Sequence, residues 1–361
     1  MGKNNCNSIT ISKAIGIILM VIGHSGCPRV LFNFIYLFHM PLFFFCSGIF
    51  FNELNCHKTA MRFLKKRVIG LYFPFVKWSI LFLFLHNLLM SVGIYNTSYG
   101  YEGGSSYYTF SEIVNKLICI LFTMHGYEEL LGGFWFIRAL FVSIILIVVF
   151  SLLLKSVSKY KYELLCLLFL ILTILIRRLA PDSEFWRDIS MGTFGAFFYM
   201  LGHIVMRYSH YWHNKYGAII CCVLLILSFC YFRGGISMGC GFNKVLPFSI
   251  SAISGTLLSI YVSSFIENNV SNIKKTLYYI GNHTLDILAL HFLSFRVVSF
   301  IIVLLCGLDI THIAEHPVIK DVDFSIYNYW WCLYCIFGIV LPIIVTRLYY
   351  YIIRIIKTLR K

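Results

Sequence analysis

Apolar stretches of about 17–25 residues recur along this chain, and no other feature restricts its fold so strongly. They run over 9–27, 30–51, 70–92, 132–154, 163–179, 191–208, 217–232, 245–265, 284–305 and 327–350. Each is long enough to cross a bilayer core as a helix, which satisfies its own backbone hydrogen bonds where no water is available. Charged residues make up 12% of the 361 residues and hydrophobic ones 59%, whereas a soluble domain carries about 25% charged residues. The sequence therefore predicts an all-α fold, a polytopic membrane helix bundle of about ten transmembrane helices. The N-terminal MGKNNCNS is short and polar, and no small-residue cleavage site follows it. The first stretch is accordingly read as a retained helix rather than a signal peptide.

A net charge of +15 would suit nucleic acid, but the positive residues alternate between loops instead of forming one patch. With the N-terminus inside, the cytoplasmic segments hold Lys3, Lys58, Arg62, Lys65, Lys66, Arg67, Lys155, Lys159, Lys161, Lys215, Lys274, Lys275, Arg354, Lys357, Arg360 and Lys361. The outer segments hold fewer cations. This bias orients the chain with both termini cytoplasmic and excludes nucleic acid as the expected partner. The expected location is the cytoplasmic (inner) cell membrane, with the lipid bilayer itself as partner. Of the 13 cysteines most lie in apolar stretches without companion histidines, so they read as packing residues and no metal site is expected. One domain spans 1–361, with no internal repeat. The longest outer segment, 92–131, contains TSYGYEGGSSYYTF, and its residues 113–124 suit a short interfacial helix. A second outer segment, 306–326, carries Asp309, Glu315, Asp321 and Asp323.

Ionisable residues inside the apolar stretches are the functional candidates, because each is costly there unless it serves a purpose. Lys13 and His24 share the first stretch, eleven positions apart. That is close to three helical turns, so both lie on one face, roughly 16 Å apart along the axis. Histidine suits general-base work near neutral pH. The plain alternative is that Lys13 snorkels to the interface and His24 is a hydrogen-bonded residue near the headgroups. His39 lies in FHMPLFFFCSG, where Pro41 frees a backbone carbonyl; His39 either lines a cavity or satisfies that carbonyl. The basic run from Arg62 through Lys65 and Lys66 to Arg67 is a topology signal that also suits phosphate. Trp135 and Arg138, in GGFWFIR, read as a cavity wall. Asp286, His291 and Arg296 fall in one stretch and need partners; Asp286 is a candidate to neutralise a cation of the first or fourth helix.

Taken together, ISKAIGIILMVIGHS, FHMPLFFFCSG, FLKKRVIGLYFPF, GGFWFIRALF and IGNHTLDILALHF resemble, in this order, the integral-membrane acyltransferase-3 family. The likeness covers essentially the whole chain and is nearest to proteins of the fucose 4-O-acetylase type. The family pattern places a basic residue before a histidine regarded as catalytic, with ten residues between them, and Lys13 and His24 match it. Arg67 matches the family's arginine at the start of the third helix. Many members carry an Asp three positions before the basic residue; here Thr10 stands in that place.

The resemblance implies an acyl-CoA-dependent O-acyltransferase, with acetyl-CoA as donor substrate and no bound cofactor. Lys13 and His24 are then the catalytic pair. Arg62, Lys66, Arg67, His39, Trp135, Arg138 and His291 are the substrate-binding candidates. The acceptor is a hydroxyl of a cell-surface glycan or lipid-linked saccharide, and Tyr95, Tyr99, Tyr107, Tyr108 and Trp135 are aromatics suited to sugar rings or to an interfacial belt. Two other readings stay open: a secondary transporter or flippase with a His24, His39 and Asp286 proton relay, and a polysaccharide polymerase or ligase using the 92–131 segment. The sequence leaves the oligomeric state open.

Overall fold

In the computed structural model, the description covers residues 3–54, 56–101, 103–155, 160–320 and 329–359. Asp321 and Asp323 of the segment predicted to lie outside, and Lys159, Arg360 and Lys361 of those predicted to be cytoplasmic, lie outside the described residues. The described residues contain helices and no strand. In chain order these are α1 (Lys3–His24), α2 (Arg29–Ile35), α3 (His39–Ile49), α4 (His57–Arg67), α5 (Phe73–Ser91), α6 (Phe110–Thr123), α7 (Trp135–Leu153) and α8 (Lys161–Leu179). They continue as α9 (Glu184–Arg207), α10 (Ser209–Trp212), α11 (Lys215–Phe232), α12 (Val245–Asn269), α13 (Ser271–Asn282), α14 (Thr284–Cys306) and α15 (Trp330–Leu359).

Nine helical segments among the described residues are long and apolar enough to cross a membrane, and each overlaps a predicted stretch. The tenth predicted stretch is α8, a 19-residue helix. Its ends carry Lys161, Glu163, Arg177 and Arg178, which keeps it out of that set. A second difference concerns 30–51, predicted as one helix and found as two, α2 and α3. Pro41 lacks the N–H that Leu37 would receive in a continuous helix, and it sits instead in the first turn of α3, where that loss is harmless. At the base of α5, Pro74 is accommodated differently. A wide π turn at Val68–Tyr72 joins α4 to α5, a common way to absorb a disrupted i→i−4 ladder.

The chain divides into two compact units, each assembled from separate segments. The first comprises 1–16, 29–74 and 135–281. In it α9 packs against α3, α7 and α8, and α12 packs against α3 and α11. The second comprises 17–28, 75–134 and 282–361. In it α14 packs along α15 and against two short 3-10 turns, Glu129–Phe134 and Ile310–Ala314. The 92–109 segment is tied into this unit: Asn96 donates Nδ2–H to the Thr311 carbonyl at 2.7 Å. The predicted short helix is α6, opened by a capping box in which Thr109 and Glu112 exchange hydrogen bonds.

Candidate active site

His24 is the last residue of α1, so its ring lies at the mouth of the helix rather than along its flank. The chain turns away at once: the Ser25 hydroxyl donates to the Ile22 carbonyl at 2.8 Å, and Gly26 adopts φ +76°. A side chain at Gly26 would be strained in that conformation and would press on Val318 Cγ2 at 3.0 Å. His24 is half-buried, and the residues it faces in the second unit come from α14. Its ring centroid lies 5.6 Å from that of His291 and 5.0 Å from that of Phe292, edge-on. Phe292 in turn contacts His316, 4.6 Å away. Three imidazoles are thus gathered around one aromatic ring.

The 3-10 turn at Glu129–Phe134 closes the cluster, and its glycines make this possible. A Cβ on Gly133 would fall 2.6 Å from Leu288 Cδ1 and 3.8 Å from His291; one on Gly132 would fall 3.2 Å from Phe292. The turn brings Glu129 to Arg296 of α14, with 3.0 Å between Oε1 and Nη2. The second Glu129 oxygen accepts the Tyr101 amide at 2.8 Å. Arg296 also donates to the Glu315 carbonyl, and Glu315 accepts the Lys320 amide at 3.2 Å. One buried ion pair therefore fastens three separate segments. Breaking such a pair leaves an uncompensated buried charge, so its geometry is strongly held.

His316 lies outside the membrane-spanning helices, is 7% exposed, and its Nδ1 is 4.0 Å from Glu129 Oε1. Burial, then the positive charge of Arg296, pushes its pKa down to about 3, so the ring is neutral near pH 7. Tyr95 is buried beside the same group, and burial followed by Glu128 and Glu129 raises its pKa. Among the described residues, His291 Nε2, His316 Nδ1 and Arg296 Nε are buried without a hydrogen-bond partner. Such orphans are rare in folded proteins and concentrate where a ligand, a water or a reaction is served. Adjacent to this group, His86 is sandwiched between acceptors, its Nδ1 2.7 Å from Glu128 and its Nε2 2.9 Å from the Ser106 carbonyl, with Tyr108 stacked on it at 3.5 Å. No metal-binding cluster of His, Cys, Asp and Glu occurs among the described residues.

Of the predicted site residues, the structure brings His24 and His291 together. Lys13 is half-buried on α1 within the first unit. His39 is buried in that unit, and its Nδ1 donates to the Ile35 carbonyl at 2.9 Å, at the break between α2 and α3. Arg62 and Lys66 are exposed on α4. Arg67 is half-buried: it donates to Tyr199 Oη at 3.2 Å and lies over the Phe63 ring at 5.0 Å. Trp135 and Arg138 do line a cavity, with Arg138 paired to Asp188. Asp286 is a correction: instead of answering a cation of the first or fourth helix, its Oδ2 lies 3.0 Å from His283 Nδ1, one helical turn away.

Sequence reading missed Glu129 and His316. A signal for Glu129 was present, because Arg296 inside an apolar stretch demands an acid and Glu128-Glu129 borders another such stretch. His316 gave none, since it sits in a polar loop and acquires its role only through folding. The sequence matches the family of the Acyltransferase domain over residues 7–347. No curated protein and no solved structure matches it. A match over nearly the whole length, on a chain of membrane-spanning helices with a histidine cluster at the end of the first, identifies a multi-pass membrane acyltransferase that belongs to the acyltransferase-3 family.

Proposed function

We propose that this enzyme is an O-acyltransferase of the cytoplasmic membrane, with both termini in the cytoplasm, that moves an acetyl group from acetyl-CoA to a hydroxyl of a cell-surface glycan or lipid-linked saccharide. The observation that carries the reading is the set of His24, His291 and His316 around Phe292. In the direct route, a His24 ring nitrogen takes the acceptor's hydroxyl proton as the oxygen attacks the thioester carbonyl. The C–S bond breaks and the departing thiolate receives that proton. In the relayed route, the His24 nitrogen attacks first and releases the thiol, and the acceptor oxygen then displaces the imidazole. Both routes yield one ester and one free thiol.

The surroundings suit either route. Phe292 meets the His24 ring edge-on, and the glycine-lined turn closes on Phe292 and His291 behind it. The Glu129–Arg296 pair fixes α14 and the turn in place, and pre-organisation of this kind is what acyl transfer needs. Lys13 and the basic face of α4, with Arg62, Lys66 and Arg67, are proposed to hold the donor's phosphates. His39, Trp135, Arg138 and His291 remain proposed substrate contacts, and the fucose O-acetylase likeness bears only on the acceptor. A proton-relay transporter gains less support, since His39 Nδ1 is held by a carbonyl and Asp286 faces His283.

Membranes containing the protein, supplied with radiolabelled acetyl-CoA, test the reading. Label should appear in surface glycan, with free CoA released in equal amount. Accumulation of a saccharide across the membrane without CoA release would establish the transporter instead.

A further inference from the structure

The first unit contains a cavity of about 340 Å³ that includes Trp135 and Arg138, proposed above as substrate contacts, beside residues given no role so far. Small-molecule pockets begin at roughly 300 Å³, enough for a single sugar residue. Six residues give it its character: Trp135 and Arg138 of α7, Arg177 of α8, and Trp186, Arg187 and Asp188 of α9. Three arginines and one aspartate thus line it. The aspartate, Asp188, is paired with Arg138. Arg187 meets Glu184 on the exposed surface, at 3.5 Å, a pair of small worth.

Arg177 is the unusual member. It is 9% exposed, and no carboxylate lies within ion-pair distance of it among the described residues. It donates to the Cys240 and Met238 carbonyls at 2.6 and 2.9 Å and to the Ser190 hydroxyl at 3.2 Å. Its guanidinium also lies over the Phe194 ring, 4.8 Å from the centroid, and touches two sulfurs, Cys240 Sγ and Met191 Sδ, both at 3.5 Å. Burial pushes the Cys240 thiol up, so it stays protonated and supplies no countercharge. Thioether and thiol sulfurs are weak acceptors, and an oxyanion would readily replace them. A buried guanidinium without a counter-ion, in the wall of an open cavity, calls for an anion.

The two indoles add a second requirement. Trp186 is 44% exposed and Trp135 half-buried, so flat apolar faces border the charged ones. Pyranose rings stack their C–H faces on such indoles, while a carboxylate or phosphate suits arginine. We propose that this cavity binds an anionic sugar residue, bearing a carboxylate or a phosphate, of the acceptor glycan. The word acceptor rests on the O-acyltransferase reading; the binding itself does not. In the orientation proposed above, the 180–183 and 233–244 connections face outward, on the side where surface glycan lies.

The test is calorimetric titration of the purified full chain in detergent with D-glucuronate, glucose 1-phosphate, D-glucose and inorganic phosphate, without donor. One of the charged sugars should bind at least about tenfold more tightly than glucose and than phosphate, a difference of about 1.4 kcal/mol. Raised salt should weaken it. Trp186→Ala and Arg187→Gln change exposed residues and leave the fold standing; each should weaken binding about threefold or more, and Arg177→Gln should abolish it. Glucose binding as tightly as the charged sugars would overturn the anionic assignment. Phosphate binding as tightly as glucose 1-phosphate would overturn the sugar assignment. Absence of binding by every probe, or affinity unchanged in all three variants, would overturn the site. Because no acyl transfer is read, failure of the enzymatic reading leaves this result intact, and the reverse holds too.

Discussion

His316 is a histidine that folding holds in its neutral form. Burial, Arg296, His24 and Lys320 all disfavour its charged form, and the nearby Glu129 is already engaged by Arg296. Its folded pKa of about 3 lies below the ordinary value of about 6.5. The unfolded chain therefore binds the extra proton first, and stability is lost as pH falls below about 6.5, until the folded pKa is reached. Between pH 7 and pH 5 this amounts to about 2 kcal/mol. The His316→Gln variant should lose correspondingly less stability over that interval than wild type, in thermal melts of the detergent-solubilised protein. Parallel losses in the two proteins would show that His316 is not held neutral. At this scale the sequence was informative where an ionisable side chain interrupts an apolar run. His24 and His291 stood out as histidines inside apolar stretches, whereas His316 and Glu129 become site residues only through contacts between segments far apart in the chain.

Helices in the first unit approach one another through glycines. A Cβ on Gly48 of α3 would lie 1.8 Å from the Tyr199 carbonyl oxygen of α9, and one on Gly202 of α9 would lie 2.2 Å from the Phe45 oxygen of α3. The contact is reciprocal, each helix offering a glycine to the other's backbone, the arrangement by which membrane helices gain packing without a hydrophobic drive. Because the obstructing atoms belong to backbone, no side-chain rotation relieves the clash. Gly48→Ala should therefore destabilise by at least about 2 kcal/mol, in the range for overpacked cores. Gly70 lies in the π turn with nothing near its Cβ position, so Gly70→Ala serves as the control and should melt like wild type. Equal melting temperatures for all three proteins would contradict the close crossing. Ser47-Gly48 was visible in the sequence, but its partner on α9 was not. The split of 30–51 into α2 and α3 was likewise half legible: Pro41 marked the spot, and the decision between a kink and a full break rested on tertiary packing.

Across the whole molecule, the class of fold was plain from hydrophobic stretches alone, since a bilayer leaves the backbone few alternatives. Nine of the ten predicted stretches reappear as candidate spans among the described residues. The exception, α8, carries its charges at its two ends, where long basic side chains can reach the interfaces. What the stretches did not reveal is the grouping of 1–16, 29–74 and 135–281 apart from 17–28, 75–134 and 282–361, because periodicity within a helix says nothing about which distant helix it meets. The family match runs through the segments of both units, and the histidine cluster belongs to the second. The central claim is that this cluster, through His24, breaks the donor's thioester. The most direct measurement is release of free CoA from acetyl-CoA by the purified protein with acceptor glycan present, comparing wild type with His24→Ala at matched monodispersity. A fall of at least about 100-fold is expected if His24 acts on the thioester, the lower end of what a general base contributes. A His24→Ala protein that releases CoA at the wild-type rate would contradict it.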